Sequence, residues 1–352
     1  MTTKELAQYL LQALNMGLGA IMQGETSYSN SFHTTIMQDG FLFIPRLPAG
    51  FIIDDELYQK IFLIANAALY PRYTVLKQNS AYFVALETDD IHVQRGLFFP
   101  WKVGISERLV ISDLDQFVLK QEINTVPIMK NLTLDFNKVT SIAIAGNSGS
   151  GKSYALTYFL SLLKNFSDLI IVDPKFDTPS RWARENGFPV LHPQRNRSKS
   201  DFVSEINENL SSCLNLIQER QELLYENPDQ QFKHLTIVID EVLALSEGVN
   251  KTIKESFFSL LSQVALLGRA TRVHLLLVSQ RFDHNTIPVS VREQLNVLMQ
   301  IGNINKKTTQ FLFPDLDPEG KGTGLIQIID NEHPYQVLPL LCPTYYTKKG
   351  IL

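Results

Sequence analysis

The sequence of 352 residues contains only two cysteines, Cys213 and Cys342, which excludes a disulfide framework and a cysteine-ligated metal site. No stretch approaches the roughly 18 apolar residues that a membrane-spanning helix requires, and the longest candidate, around Ile61–Tyr70, is too short. The N-terminal sequence MTTKELAQYLL lacks the basic region and apolar core of a signal peptide. We therefore expect a cytoplasmic protein, either free or held at a membrane only by its partners.

Positive charge is not in excess either. The chain has 32 Lys and Arg against 36 Asp and Glu, a formal net charge of −4. A protein that coated nucleic acid with its whole surface would be basic, so this class is disfavoured. Residues 126–352 are balanced, with 23 basic and 23 acidic side chains, whereas residues 1–125 hold 9 and 13. Any contact with nucleic acid must therefore come from local basic patches.

The first 125 residues predict a small α/β domain without recognisable chemistry. Leucines spaced along residues 6–14 predict one helix, and Asp54 to Leu69 predicts a second that opens with an acidic turn. Short strands are predicted at Phe41–Ile44, Tyr73–Leu76 and Tyr82–Leu86. We expect this domain to serve interaction or oligomerisation. The pattern changes near Asn124–Asn137, which places the second domain at residues 126–352.

From Ser141 onward, short apolar runs alternate with longer amphipathic stretches. The runs are Ile142–Ala145, Leu169–Val172, Leu235–Ile239 and His274–Val278. Uninterrupted apolar strands predict a parallel sheet that is buried on both faces. Alternation of such strands with helices predicts a doubly wound α/β domain, whose ligands bind at the carboxyl ends of the strands.

A phosphate-binding motif follows the first of these strands. The sequence GNSGSGKS matches G-x-x-x-x-G-K-[ST] between a predicted strand and a predicted helix. Lys152 is expected to reach the β- and γ-phosphates of ATP, and the Ser153 hydroxyl to ligate Mg²⁺. The predicted nucleotide-binding residues are Gly146, Asn147, Ser148, Gly149, Ser150, Gly151, Lys152, Ser153 and Tyr154. ATP and Mg²⁺ are therefore the expected cofactors.

Two carboxylates follow the strand Leu235–Ile239. Asp240 is placed to hold the Mg²⁺ shell, usually through water. Glu241 is placed to orient and deprotonate an attacking water. A GTPase-type switch usually lacks the second acid, so the pair favours ATP hydrolysis.

Further polar residues surround the last apolar strand. Gln280 follows it and is expected to touch the γ-phosphate or the attacking water. Arg269 precedes it and is the preferred candidate for an arginine finger that acts on a neighbouring subunit, ahead of Arg272 and Arg281. For Arg269 and Arg272, the alternative is a pair of cations favoured by the dipole at a helix C-terminus.

These blocks together resemble the FtsK/SpoIIIE branch of the FtsK–HerA superfamily of ring-forming DNA-pumping ATPases over roughly residues 135–330. The blocks that carry the resemblance are GNSGSGKS, Asp173-Pro174-Lys175, IVIDE, GRATRVHLLLVSQR and Gly320–Gly324. The resemblance implies a RecA-like P-loop NTPase domain that forms a hexamer around DNA. It also implies that ATP binds between subunits and that an arginine acts in trans.

The sequence departs from the pattern of that family at several points. Phe282 stands where the family has proline, and Arg272 stands where it usually has glycine. We expect no transmembrane anchor before the motor and no winged-helix DNA reader after it. These departures argue against a chromosome-segregation translocase and fit better a compact member that resembles the coupling-protein ATPases of Gram-positive conjugative elements, whose partners would include a relaxase or transfer-channel proteins.

A basic segment is the candidate DNA contact. It holds six basic residues against Asp177 and Glu185, namely Lys175, Arg181, Arg184, Arg195, Arg197 and Lys199. Such a segment favours salt-sensitive contacts with phosphates. Trp182 is either a stacking surface for a base of a single strand or a core residue. Lys306 and Lys307 form a weaker candidate.

The leading hypothesis is an ATP-driven DNA translocase or coupling ATPase in conjugative or mobile-element transfer, acting on single- or double-stranded DNA. A second is a DNA packaging or repair motor of the same superfamily. A third is an assembly factor whose ATP cycle changes protein contacts without moving DNA.

Overall fold

The computed structural model describes residues 2–21, 31–49, 52–78, 83–139, 141–283, 286–302, 324–329 and 336–346. Tyr82, Lys306, Lys307 and all but the last residue of the predicted glycine-rich turn lie outside these ranges. The chain divides into two compact units: the first includes the residues up to Ser106, the second begins at Glu107, and the strand Gln336–Leu340 is divided between them, with its residues up to Leu338 in the first.

The first unit combines two helices with a five-stranded sheet. Its elements are α1 (Thr3–Ile21), β1 (Phe32–Ile36), β2 (Gly40–Pro45), α2 (Asp55–Leu69), β3 (Tyr73–Val75), β4 (Phe83–Ala85) and β5 (Arg95–Val103). The sheet order is β1-β2-β5-β3, and β4 also pairs with β5. Both predicted helices are present, and Asp54 caps the second by accepting a hydrogen bond from the Leu57 N–H at 2.9 Å.

The core of this unit follows from the spacing of the leucines in α1. Leu6, Leu10, Leu14 and Leu18 recur every four residues and therefore share one helical face. This face packs with α2 and with a stacked aromatic group from the sheet. Phe41 stacks on Phe99 with ring centroids 4.8 Å apart.

The second unit is built around a larger sheet. Its elements are β6 (Val110–Ile111), α3 (Leu114–Leu119), β7 (Thr125–Met129), β8 (Leu132–Asp135), β9 (Ser141–Gly146), α4 (Lys152–Leu163), β10 (Ser167–Val172), α5 (Thr178–Asn186), β11 (Val190–Leu191), α6 (Lys199–Glu226), β12 (His234–Ile239), α7 (Val242–Ser246), α8 (Lys251–Leu267), β13 (Val273–Ser279), α9 (Val289–Arg292), β14 (Val297–Ile301), β15 (Gly324–Ile328), β16 (Gln336–Leu340) and β17 (Thr344–Tyr345).

The predicted boundary at residue 125 differs from the observed division. Residues 107–125 belong to the second unit, where α3 packs against α4. The side chain of Asn165 donates a hydrogen bond to the carbonyl oxygen of Val118, and Val118 itself is buried. The short elements that precede β7 therefore cover α4, although their sequence lacks the regular strand–helix pattern of the residues after Ser141.

The large sheet has the strand order β11-β10-β12-β13-β9-β14-β15-β16. In this order, each of the first five strands pairs in parallel with the next, and β15 is antiparallel to β14. The four apolar runs predicted as strands are confirmed as β9, β10, β12 and β13. Because their carboxyl ends meet at one edge of the sheet, the loops that follow them are gathered there. Within the described part of the chain, no helix is both long and apolar enough to cross a membrane.

At the opposite edge of the sheet, two buried histidines lie side by side, one at the start of β12 and one at the start of β13. His234 Nδ1 lies 2.7 Å from His274 Nε2, and both residues are almost fully buried. The ring of Phe166 lies edge-on to His234. Burial lowers the pKa of His234 to about 4, and the positive charges of Arg272 and Arg220 add to this effect. His234 is therefore neutral in the folded protein at pH 7.

This pair predicts a loss of stability in mild acid. Because the pKa of His234 is lower in the folded than in the unfolded chain, the unfolded chain binds more protons between about pH 4 and pH 6.5. The contribution of His234 to the free energy of unfolding should be about 2 kcal/mol smaller at pH 5 than at pH 7. Urea unfolding at the two pH values measures this loss.

The test variant is His234→Gln, and the matched control is His33→Gln, since His33 is exposed. The pH dependence should shrink in the first variant and persist in the second. An equal pH dependence in all three proteins would contradict the assignment.

Candidate nucleotide-binding site

The loop between β9 and α4 has a shape that its glycines permit. A Cβ atom at Gly146 would lie 2.6 Å from the carbonyl oxygen of Ile301 on the neighbouring strand, closer than real contacts allow. Gly151 has a φ of 98°, in the left-handed region that favours glycine. α4 begins at the next residue, so the positive end of its dipole points into the loop. The geometry is that of an anion-binding loop.

Lys152 lies across this loop. Its Nζ donates hydrogen bonds to the carbonyl oxygens of Gly146 at 2.5 Å and Asn147 at 3.1 Å. Burial lowers its pKa, whereas the negative charges of Glu241 and Asp240 act in the opposite direction. Ser153 follows in the first turn of α4 and is exposed at the same edge. A lysine and a hydroxyl are thus positioned where phosphate oxygens would approach the helix.

The acidic pair after β12 lies at the same edge, two strands from β9. That separation corresponds to about 10 Å. Asp240 and Glu241 are both buried, and the backbone N–H of Glu241 donates a hydrogen bond to Asp240 Oδ1 at 2.9 Å. Glu241 has a φ of 46°, a left-handed conformation that costs energy in a residue other than glycine. The turn therefore holds the two carboxylates in one fixed arrangement.

Asp173 and Lys175, from the loop after β10, complete this cluster. The buried carboxylate of Asp173 accepts hydrogen bonds from the N–H groups of Lys175, Asp177 and Ser180 and from the Ser180 hydroxyl. The ordered loop directs Lys175 Nζ to Glu241 Oε2, 2.5 Å away. Burial acts to lower the pKa of Lys175, but the hydrogen bond and charge of Glu241, with the charges of Asp240 and Asp173, produce a net rise. Lys175 is therefore a charged partner of the candidate base.

The donor set fits Mg²⁺ held jointly with nucleotide phosphates. Burial, together with the charges of Asp173 and Glu241, raises the pKa of Asp240 to about 6. A nearby divalent cation favours the ionised form of such a carboxylate. The Ser153 hydroxyl and the Asp240 carboxylate supply the oxygen ligands that Mg²⁺ prefers. Among the residues that the structure describes, no group of three or more His, Cys, Asp or Glu is arranged to hold a metal.

The structure places the predicted sensor and arginine residues at different edges. Gln280 is exposed directly after β13, the strand beside β9, and so lies at the edge of the phosphate loop. Arg269 is exposed in the turn before β13, at the opposite edge of the sheet. In this conformation its side chain is far from the phosphate loop of its own chain.

The other two arginines are bound within the fold. Arg272 has a φ of 56° and donates hydrogen bonds to the carbonyl oxygen of Phe232 and to Gln231 Oε1. Arg281 Nε pairs with Asp283 Oδ2 at 2.8 Å. In this conformation both side chains are therefore held by partners within their own chain.

Tyr154, the last residue of the predicted nucleotide-binding set, has its side chain bound within the fold. Its ring stacks on Tyr345 at 4.0 Å, and its hydroxyl donates to the Tyr345 carbonyl oxygen at 2.7 Å. The Tyr345 hydroxyl donates in return to the carbonyl oxygen of Tyr154 at 2.8 Å. The side chain of Tyr154 thus anchors the strand β17 to α4.

A buried polar group that the sequence did not predict lies beside the strand that leads into the phosphate loop. Gln300 on β14 lies opposite Ala145, which in turn lies opposite Ser279 on β13. In the described part of the chain, the side-chain amide of Gln300 and the hydroxyls of Ser279 and Ser150 are buried without a hydrogen-bond partner. A glutamine within the otherwise apolar run VLMQI is the feature that would have indicated this group.

The basic segment contains fewer available charges than its sequence indicates. Arg181 pairs with Asp177 at 2.8 Å, and Arg197 pairs with Glu205 at 2.7 Å. Trp182 is buried, and its indole N–H donates to Ser161 Oγ at 3.2 Å. The core alternative for Trp182 is therefore confirmed, and its stacking on a base is excluded in this conformation.

The sheet order and this loop geometry are those of a RecA-like P-loop NTPase domain, the fold that the family resemblance implied. No protein-family model matches the sequence. Among curated proteins, the chain is similar to the FtsK domain-containing protein YdcQ of Bacillus subtilis (strain 168), with 22% identity over 202 residues. This match covers 56% of the chain and 41% of YdcQ, so it spans less than half of the curated relative. The chain thus resembles FtsK-type domains, as its motifs predicted.

Two solved structures share the fold. One is the pCW3 conjugation coupling protein TcpA in a monomer form with ATPgS, with a TM-score of 0.50 and 18% identity over 95% of both chains. The other is EssC (ATPases 2 and 3) from Geobacillus thermodenitrificans, with a TM-score of 0.50 and 14% identity. The EssC match covers 69% of this chain and 48% of that one. At these identities the likeness establishes the fold.

The Lys175–Glu241 ion pair predicts energetic coupling between the two residues. Removing the lysine leaves a buried carboxylate without its cation, which destabilises the folded chain. Lys175→Met should therefore cost less in a Glu241→Gln background than in the wild type. The expected coupling free energy is about 1 to 2 kcal/mol, from urea unfolding of the four proteins.

The exposed pair Lys130–Glu107, whose side chains are both more than half exposed, provides the matched control. Its coupling should stay below about 0.5 kcal/mol, because solvent screens it. Equal coupling in the two pairs would contradict the assigned role of burial.

Proposed function

We propose that the chain is a Mg²⁺-dependent ATPase that couples hydrolysis to movement of DNA. The observation that carries this proposal is the gathering of Lys152, Asp240 and Glu241 at one edge of the parallel sheet. At this edge, the side chain of Lys152 and the anion-binding loop face the buried carboxylate of Glu241, which its ion pair with Lys175 already orients. This is the minimum that phosphoryl transfer to water requires.

The chemistry follows from the positions of these groups. The loop N–H groups and Lys152 bind the β- and γ-phosphates, and Lys152 exchanges its bonds to the loop carbonyls for bonds to phosphate oxygens. Glu241 accepts a proton from the attacking water, whose oxygen bonds to the γ-phosphorus. The bond to the bridging oxygen breaks, and ADP leaves. Gln280 orients the water from the neighbouring strand. Mg²⁺, bound by Ser153 and Asp240, would neutralise charge on the phosphates.

We further propose that the active form is a ring, in which Arg269 serves the site of the neighbouring subunit. Its exposure at the edge opposite the phosphate loop supports action in trans, since the same geometry keeps it from its own site. A hexamer is the expected ring. The similarity to TcpA, described as a conjugation coupling protein, supports a role in the transfer of conjugative or mobile DNA.

The site predicts different defects for two substitutions. Lys152→Ala should weaken ATP binding, because it removes the cation that contacts the phosphates. Glu241→Gln should bind ATP but hydrolyse it at least about 100-fold more slowly, because it removes the proton acceptor. Phosphate release measures turnover, and a fluorescent ATP analogue measures binding. Near-normal turnover in the Glu241→Gln protein would refute the assignment.

Motor activity is tested separately by displacement of a third strand from a DNA duplex. The wild-type protein should displace it with ATP, and the Glu241→Gln protein should bind the duplex without displacing the strand. ATP turnover without any displacement would leave an ATPase that does not move along duplex DNA.

A further inference from the structure

An aromatic side chain on the loop between β10 and α5 is exposed in a strained conformation. Phe176 has a φ of 52°, in the left-handed region where side chains other than glycine and asparagine are disfavoured. Its ring is 61% exposed, so it contributes little to the core. A fold gains nothing from a strained and exposed phenylalanine, and such outliers cluster at functional positions.

The backbone of the loop explains the strain but not the choice of residue. Asp173 accepts hydrogen bonds from the N–H groups on both sides of Phe176, those of Lys175 at 3.0 Å and Asp177 at 2.8 Å. These bonds fix the turn. A glycine would satisfy the same turn without strain. The turn alone therefore does not account for a phenylalanine at this position.

The ring is held ready for stacking. One of its faces packs on the imidazole of His192, with centroids 4.0 Å apart and planes inclined by 29°. His192 follows the edge strand β11, and its Nδ1 lies 3.2 Å from the Pro193 carbonyl oxygen. The imidazole supports the phenyl ring from one side. A flat, supported and exposed aromatic ring is the surface on which a nucleobase stacks.

The surroundings favour a nucleic-acid strand over an isolated base. Arg195 follows His192 by three residues at the same edge of the sheet and is exposed. Within the described ranges its side chain makes no hydrogen bond or ion pair, unlike those of Arg181 and Arg197. The nearby acid Asp177 is already paired with Arg181. Phosphates alternate with bases along a nucleic-acid strand. A cation near an aromatic ring therefore suits contact with one base and an adjacent phosphate.

We propose that Phe176, supported by His192, stacks on a base of single-stranded DNA, while Arg195 contacts an adjacent phosphate. This inference rests on the proposed function and deepens it, because it names an unpaired strand as the substrate that this loop contacts. It also replaces Trp182, the aromatic residue of the basic segment that the structure shows to be buried. The base-binding ring is one residue from Lys175, the partner of Glu241, so the contact lies beside the candidate catalytic cluster.

The test measures binding of a labelled oligothymidylate of about 20 nucleotides, and of a duplex of the same length, by the full chain. Phe176→Ala should weaken single-strand binding about tenfold and duplex binding less than about twofold. Phe176→Tyr should retain binding, because the ring is kept. Tyr225→Ala is the matched control, since Tyr225 is 92% exposed at the far end of α6 and should have no effect. Arg195→Ala should reduce the salt dependence of binding by about one phosphate contact.

A second readout is independent of affinity. Both native tryptophans, Trp101 and Trp182, are buried, so the fluorescence of a Phe176→Trp protein reports mainly on the new, exposed indole. Oligothymidylate should quench this fluorescence, and duplex should leave it nearly unchanged.

The outcomes separate the inference from the proposed function. Wild-type binding of single strands that Phe176→Ala leaves intact would overturn the inference while leaving the proposed function in place. Equal losses for single strand and duplex would also overturn it, because they would indicate a general defect of the loop. Loss of ATP-analogue binding without loss of DNA binding would assign the ring to adenine and overturn it as well. A wild-type protein that binds neither DNA form would remove the proposed function itself.

Discussion

The ion pair between Lys175 and Glu241 joins the loop after β10 to the loop after β12, and the candidate site depends on it. The carboxylates of Asp173, Asp240 and Glu241 are all buried at one edge of the sheet, where solvent screens the repulsion between them poorly. The four hydrogen bonds that the Asp173 carboxylate accepts stabilise its charge, and the ion pair with Lys175 stabilises the charge of Glu241. Asp240 accepts one backbone hydrogen bond, from the N–H of Glu241, and its pKa is nevertheless raised. It is therefore the carboxylate with most to gain from a cation.

The parts of this site that the sequence predicted are those that depend on local pattern. A phosphate loop needs a strand, glycines and a helix within about 20 residues, and all of them are contiguous. The four central strands were predicted because a parallel sheet buried on both faces requires uninterrupted apolar runs. Asp240 and Glu241 could be placed because they directly follow one of these runs.

The parts that the sequence did not predict depend on distant contacts. Lys175 and Glu241 are 66 positions apart, and only the strand order brings their loops together. Trp182 and Phe176 are both aromatic residues of one basic segment, and their exposure is decided by packing. Trp182 is buried against Ser161 and Phe188, whereas Phe176 is held outward by the turn around Asp173. The domain boundary was displaced for the same reason, since α3 packs against a helix that follows it in sequence.

The central claim, that this site hydrolyses ATP in response to DNA, is tested most directly by the rate of ATP turnover. The rate would be measured without DNA, with single strands and with duplex, at low and high salt, with the Glu241→Gln protein as the blank. The account predicts a several-fold stimulation by DNA that declines as salt rises, because phosphate contacts release counterions. A rate that depends on Glu241 but is the same with and without either form of DNA would contradict it.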